Sequence, residues 1–115
     1  MKEVINTSKA PAPIGPYSQA IKVGNVLYVS GQIPIDQKND SLIAGSIEEE
    51  TEQVMKNLGY ILEEADLSFD HVAKCSIFVS RMDDFSRINS IYGKYFKENP
   101  PARETVEVSG LPKGV

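Results

Sequence analysis

Apolar residues along the chain fall into two rhythms, alternation in some stretches and a repeat of about 3.6 in others, and their order lays out the fold. Tyr17 to Lys22 and Val26 to Ile33 are rich in apolar and β-branched residues, and Gly24-Asn25 between them supplies the positive-φ residues of a tight hairpin. In the second of these strands Leu27, Val29, Gly31 and Ile33 share one face while Val26, Tyr28, Ser30 and Gln32 share the other. Each face begins apolar, so both need cover near Val26. Residues 9 to 16, KAPAPIGP, carry three prolines, which lack amide donors and restrict the residues before them, so this segment reads as a connection.

Residues 36 to 45, DQKNDSLIAG, read as a polar surface loop without chemistry. Ser46 followed by Glu49 is a capping box that predicts a helix start, and Glu48, Glu49, Glu50 and Glu52 sit where the helix dipole favours negative charge. Capping explains these carboxylates without an acid-base role. Ile47, Val54, Leu58, Ile61, Leu62 and Ala65 form the packing stripe of that helix, with Thr51 filling its gap. After a break at Asp66 to Ser68, the stretch Val72 to Val79 alternates, with Ala73, Cys75, Ile77 and Val79 opposed to Val72, Lys74, Ser76 and Phe78. Asp83 or Asp84 can cap a second helix, with Phe85, Ile88, Ile91, Tyr92, Tyr95 and Phe96 as its buried stripe, until Asn99-Pro100-Pro101 ends it. A last strand, Ala102 to Ser109, follows. The order strand, strand, helix, strand, helix, strand is an α+β pattern with helices on one face of a sheet. The other face needs a cover, which packing against identical sheets of other subunits would supply.

Size and charge narrow the function. A chain of 115 residues fits one domain, and with 12 basic against 16 acidic side chains and no basic cluster, nucleic acid is a poor partner. No apolar run has signal-peptide or membrane-span length, which reads as cytoplasmic, or organellar after processing. One cysteine and one histidine are too few for a disulfide or an ordinary zinc or iron site, and no glycine-rich phosphate loop is present. The chemistry expected is free of metal and cofactor. Cys75 lies on the apolar face of its strand and reads as a buried, inert thiol. His71 completes no triad with Ser30, which excludes serine hydrolysis.

Arg103, in PPARETVEV, starts a strand directly after a double proline that fixes the approach of the chain. Its planar guanidinium matches a carboxylate, so it reads either as an anchor for a small organic acid or as one half of a surface ion pair. Tyr17 in GPYSQA reads as a ring closing over a ligand or as a half-buried packing residue. Ser30 and Gly31 in YVSGQIP read as a place of close backbone approach to a ligand or as a β-bulge.

In the same order, GPYSQAI, VLYVSGQIP, KCSIFVSRMDDF, INSIYGKYF and PPARETVEV resemble the RidA (reactive intermediate deaminase) family over nearly the whole chain. The resemblance implies a single chorismate-mutase-like α+β domain over residues 1–115, with a mixed sheet carrying two helices on one face. It also implies a homotrimeric barrel whose intersubunit clefts bind small carboxylic acids. The implied activity is hydrolysis of reactive 2-imino and 2-enamino acids, such as 2-aminoacrylate, 2-iminobutyrate and 2-iminopropanoate, to 2-keto acids and ammonia, without metal or organic cofactor. By position Arg103 matches the arginine that clamps the substrate carboxylate, and Tyr17, Ser30 and Gly31 match residues lining the same cleft. Arg103 and Tyr17 are thus the expected catalytic residues, and Ser30, Gly31, Asn89 and Thr105 the expected substrate-binding ones. Thr105 stands where archetypal members often carry cysteine. The family's further C-terminal strand, with a glutamate thought to position water, is expected after LPKGV and has no counterpart in these residues; Glu104 points to the other face and Glu107 lies roughly 13 Å along the strand. A protein that holds 2-keto acids without turnover is the alternative. RNA cleavage, attached to some relatives, would want a basic groove and catalytic histidines that this acidic chain lacks.

Overall fold

The computed structural model describes residues 1–115 as an α+β unit. Its strands are β1 (Lys2–Ile5), β2 (Ala20–Val23), β3 (Val26–Val29), β4 (Ile35–Asp36), β5 (Ser41–Leu42), β6 (Lys74–Val79) and β7 (Ala102–Glu107). Its helices are α1 (Ile47–Glu64) and α2 (Phe85–Tyr92). The single mixed sheet expected from the sequence is divided into three ladders: antiparallel β1-β2-β3, the small hairpin β4-β5, and the parallel pair β6-β7. A parallel pair needs a crossover, and α2 provides it.

The N-terminal strand β1, which the sequence reading left unassigned, pairs with β2 through Val4↔Ile21 and Ile5↔Ala20. The strand expected from Tyr17 begins only at Ala20, because Gln19 gives its side chain to the connection. Gln19 is 2% exposed; its Oε1 accepts from the Thr7 amide at 2.7 Å, and its Nε2 donates to the carbonyls of Thr7, Ala10 and Pro11. One amide side chain therefore does for the proline-rich segment what a ladder cannot. Positive φ in the β2-β3 turn is confined to Gly24, at 60°, and Asn25 does not share it. β3 stops at Val29 rather than Ile33. Beyond it the fully buried Asn57 of α1 donates to the carbonyls of Ile33 and Ile35, replacing strand pairing there. The supposed loop over residues 36–45 contains Asp36 of β4 and the whole of β5, its hairpin partner.

α1 starts where expected: Ser46 is its N-cap and accepts from the Glu49 amide at 3.1 Å. Its buried residues are Thr51, Met55, Asn57, Ile61 and Leu62, so Val54 and Leu58 of the expected stripe lie only at its flank. Ile61, with no exposure, packs with Ile5, Ala10 and Ala20, and Leu27, Val29, Tyr60 and Ala65 close round them. Burying one such isoleucine contributes about 1.5–3 kcal/mol. Asp84 stands at the N-cap of the second helix, but its side chain makes no capping bond. A 3-10 turn, Met82–Asp84, runs straight into α2, Asp84 is itself helical, and its carboxylate faces Arg87 at 3.5 Å. A further 3-10 turn, Gly93–Tyr95, prolongs α2.

The alternation read in β6 is present. Cys75, Ile77 and Val79 turn inward; Lys74, Ser76 and Phe78 turn out. On the helix-free side Val4, Val23, Val26, Tyr28, Phe78 and Val106 remain 43–64% exposed. No helix is long and apolar enough to cross a membrane.

Candidate active site

The second residues of β6 and β7 are register partners, Cys75 opposite Arg103, and the next inward rung joins Ile77 to Thr105. α2 lies over this face and presents Phe85, Asn89 and Tyr92, one helical stripe at i, i+4 and i+7. The Arg103 guanidinium sits 5.3 Å from the Phe85 ring centroid and 5.1 Å from that of Tyr92, and its Nη1 donates to Asn89 Oδ1 at 2.6 Å. The rings favour a cation electrostatically, and the asparagine fixes its plane.

Arg103 has no acidic partner. The chain's ion pairs are Lys9–Glu63, Lys74–Glu104, Arg81–Asp83, Arg87–Glu48 and Arg87–Asp84. Arg103 thus forms no ion pair within the chain. Its charge is held by neutral groups, its remaining N–H donors make no hydrogen bond within the chain, and the residue is exposed. A fixed, uncompensated guanidinium with free donors is suited to an incoming carboxylate.

Two hydroxyls on this face, Tyr92 Oη and Thr105 Oγ1, are buried without a hydrogen-bond partner. Burial first, and then the adjacent Cys75 thiol, push the Tyr92 phenol well above its usual range, with the Arg103 charge opposing, so it stays protonated at neutral pH. Cys75 is half-buried rather than buried as expected, and by its register with Arg103 it belongs to this cluster. The neighbouring glutamates are engaged elsewhere. Glu107 accepts from the Met82 amide at 2.6 Å, and Glu104, on the outer face, is held below the usual carboxylate range by the Ser76 hydroxyl and Lys74.

Arg103, Asn89 and Thr105 are therefore brought together, whereas Tyr17, Ser30 and Gly31 form a separate group. Ser30 Oγ donates to the Ser18 carbonyl at 2.6 Å, its amide continues the ladder to Gln19, Gly31 is exposed, and Tyr17 is 48% exposed. No hydrogen bond joins this group to Arg103. A cavity of about 310 Å³ between α1 and the 3-10 turn Phe69–His71 contains none of these residues. No cluster of three or more His, Cys, Asp or Glu side chains offers a metal site. The sequence reading missed Phe85, Tyr92 and Cys75 at Arg103. The i, i+4, i+7 stripe through Asn89 carried a signal for the two rings, and the alignment of KCSIFV beside ARETVE carried one for the thiol.

The chain is thus an α+β subunit with a neutral-walled arginine at the head of a strand, an arrangement suited to a small anion. Residues 7–115 match the model of the family described as Endoribonuclease L-PSP. The sequence is 53% identical over 114 residues to a RutC family protein of Pyrococcus abyssi, covering 99% of this chain and 90% of that protein. It is 45% identical to the human 2-iminobutanoate/2-iminopropanoate deaminase, covering 99% of this chain and 83% of the human protein. The crystal structure of a putative endoribonuclease from Thermotoga maritima superposes with a TM-score of 0.97 at 50% identity, over 100% of this chain and 91% of that one. The chain belongs to the RidA family, also known by the names YjgF and L-PSP.

Proposed function

We propose that the protein hydrolyses reactive 2-imino and 2-enamino acids to 2-keto acids and ammonia, with Arg103 holding the substrate carboxylate. The observation that carries this reading is the guanidinium fixed by Asn89, Phe85 and Tyr92 with no carboxylate of its own. The names of the human and mouse relatives, both 2-iminobutanoate/2-iminopropanoate deaminases, support the substrate class. An imine carbon is already electrophilic, so holding it in register with a water molecule supplies much of the acceleration. Thr105, the next inward residue of the strand after Arg103, places a buried, unpartnered hydroxyl beside the site, and Asn89 acts by positioning Arg103.

Tyr17, Ser30 and Gly31 would complete the cleft from a neighbouring subunit of a homotrimer with the chorismate-mutase-like barrel. The exposed apolar row Val4, Tyr28, Phe78 and Val106 on the helix-free face supports such an assembly. A second reading, a 2-keto acid binder without turnover, is favoured by one observation: Glu104 and Glu107 are both engaged away from Arg103. The test is release of 2-keto acid from freshly generated 2-iminobutyrate by the protein and its Arg103→Met variant. Acceleration abolished by the substitution supports the deaminase; no acceleration, with Arg103-dependent 2-ketobutyrate binding, gives the second reading.

A further inference from the structure

Cys75 is the register partner of Arg103 on the neighbouring strand and its side chain lies on the same face, with neighbouring strands about 4.8 Å apart. Behind it stands Tyr92, 8% exposed, whose ring faces Arg103 and whose hydroxyl lies near the sulfur and is buried with no hydrogen-bond partner. A thiol is a weak acceptor, so this buried donor is left with little else to hold than the sulfur or whatever is built on it. Cys75 itself is half-buried.

We propose that Cys75 is an anion-directed thiol: a small electrophile bearing a carboxylate is held by Arg103 and captured at Cys75 Sγ. This rests on the reading of Arg103 as a carboxylate anchor and adds a covalent site to it. With a 2-haloacid the sulfur displaces halide, a C–S bond replaces the C–halogen bond, and the thiol proton leaves to solvent. With a 2-imino acid the sulfur adds to the imine carbon, the thiol proton ends on nitrogen, and the adduct is a reversible thioaminal. Capture occupies the anchor, so the same step would inactivate the cleft.

Cys75 is the only cysteine, so labelling is unambiguous. The experiment compares rates of alkylation by iodoacetate and iodoacetamide, followed by intact mass, for the native protein, its Arg103→Met variant and the urea-unfolded chain. The unfolded chain gives the intrinsic ratio of the two rates. In the native protein iodoacetate is expected to gain on iodoacetamide by about tenfold relative to that ratio, the size of one charge-assisted hydrogen bond. Arg103→Met should return the ratio to the intrinsic value. Because each ratio is internal to one sample, a general change in exposure does not mimic the effect. A native ratio equal to the intrinsic one, a thiol inert to both reagents, or a preference that survives Arg103→Met overturns the proposal. Pyruvate binding by calorimetry separates the two levels. Arg103-dependent binding without an iodoacetate preference removes the covalent site alone, and absence of both removes the anchor as well.

Discussion

Asn89→Asp is the sharpest perturbation of the anchor, because it changes charge with almost no change of shape. Asn89 Oδ1 accepts from Arg103 Nη1 at 2.6 Å, and an aspartate there would make the ion pair that the native site lacks. A ligand carboxylate on the remaining guanidinium donors would then lie on the order of 5 Å from a second negative charge. Coulomb repulsion at that distance is about 3 kcal/mol at an effective dielectric of ~20 and about 0.8 kcal/mol in bulk water. Arg103 is exposed, so a value of about 1–2 kcal/mol is expected, a roughly five- to thirty-fold loss of 2-ketobutyrate affinity. Asn89→Ala removes only an exposed positioning bond and should cost about 0.5 kcal/mol, roughly twofold. Calorimetry at low and high ionic strength reads both variants, and the aspartate penalty should shrink as salt rises. Equal losses for the two variants, or an unchanged affinity for Asn89→Asp at low salt, would refute a carboxylate bound at Arg103.

Other outcomes follow from neighbouring features. Gln19→Ala leaves buried amide and carbonyl groups of the proline-rich connection without partners and should lower stability by about 2–4 kcal/mol in urea unfolding. Ser46→Ala removes the α1 cap and should cost about 1 kcal/mol by the same measurement. Glu104, lowered by Ser76 and Lys74, contributes stability that is present above its unfolded pKa and lost as pH falls through its folded pKa. Ser76→Ala should therefore raise the Glu104 titration midpoint followed by NMR, and an unmoved midpoint would show the hydroxyl to be irrelevant. Phe78→Glu on the helix-free face should convert the proposed trimer to monomers in sedimentation velocity, while a trimer that survives the substitution would place the interface elsewhere.

The parts of the fold legible in the sequence were those set by local rules. Ser46 caps α1 because its hydroxyl reaches an amide three residues on, and the alternation from Lys74 to Val79 sorts inward from outward residues in β6. What escaped the sequence depends on partners far along the chain. Gln19 ties down the proline-rich connection by bonding Thr7 and Pro11, and Asn57 serves carbonyls more than twenty residues away, contacts that neither residue's neighbours announce. Asp84 looked like a cap by type, but the preceding turn already carried helical geometry. Arg103, Asn89 and Thr105 came from the match of motifs to a family, and the structure brings them together. Phe85, Tyr92 and Cys75 were passed over because an aromatic stripe and an apolar-face cysteine have the same pattern whether they fill a core or wall a site.

The neutral surroundings of Arg103 also bear on how fast an anion arrives. The molecule carries a net charge of -4, so beyond a Debye length of about 8 Å a small carboxylate meets repulsion or nothing. Close in, it meets one positive centre with no neighbouring acid to cancel it. Capture is accordingly a short-range event, with little of the long-range guidance that a basic rim would lend, and phosphate or sulfate in a buffer will compete for the same cation.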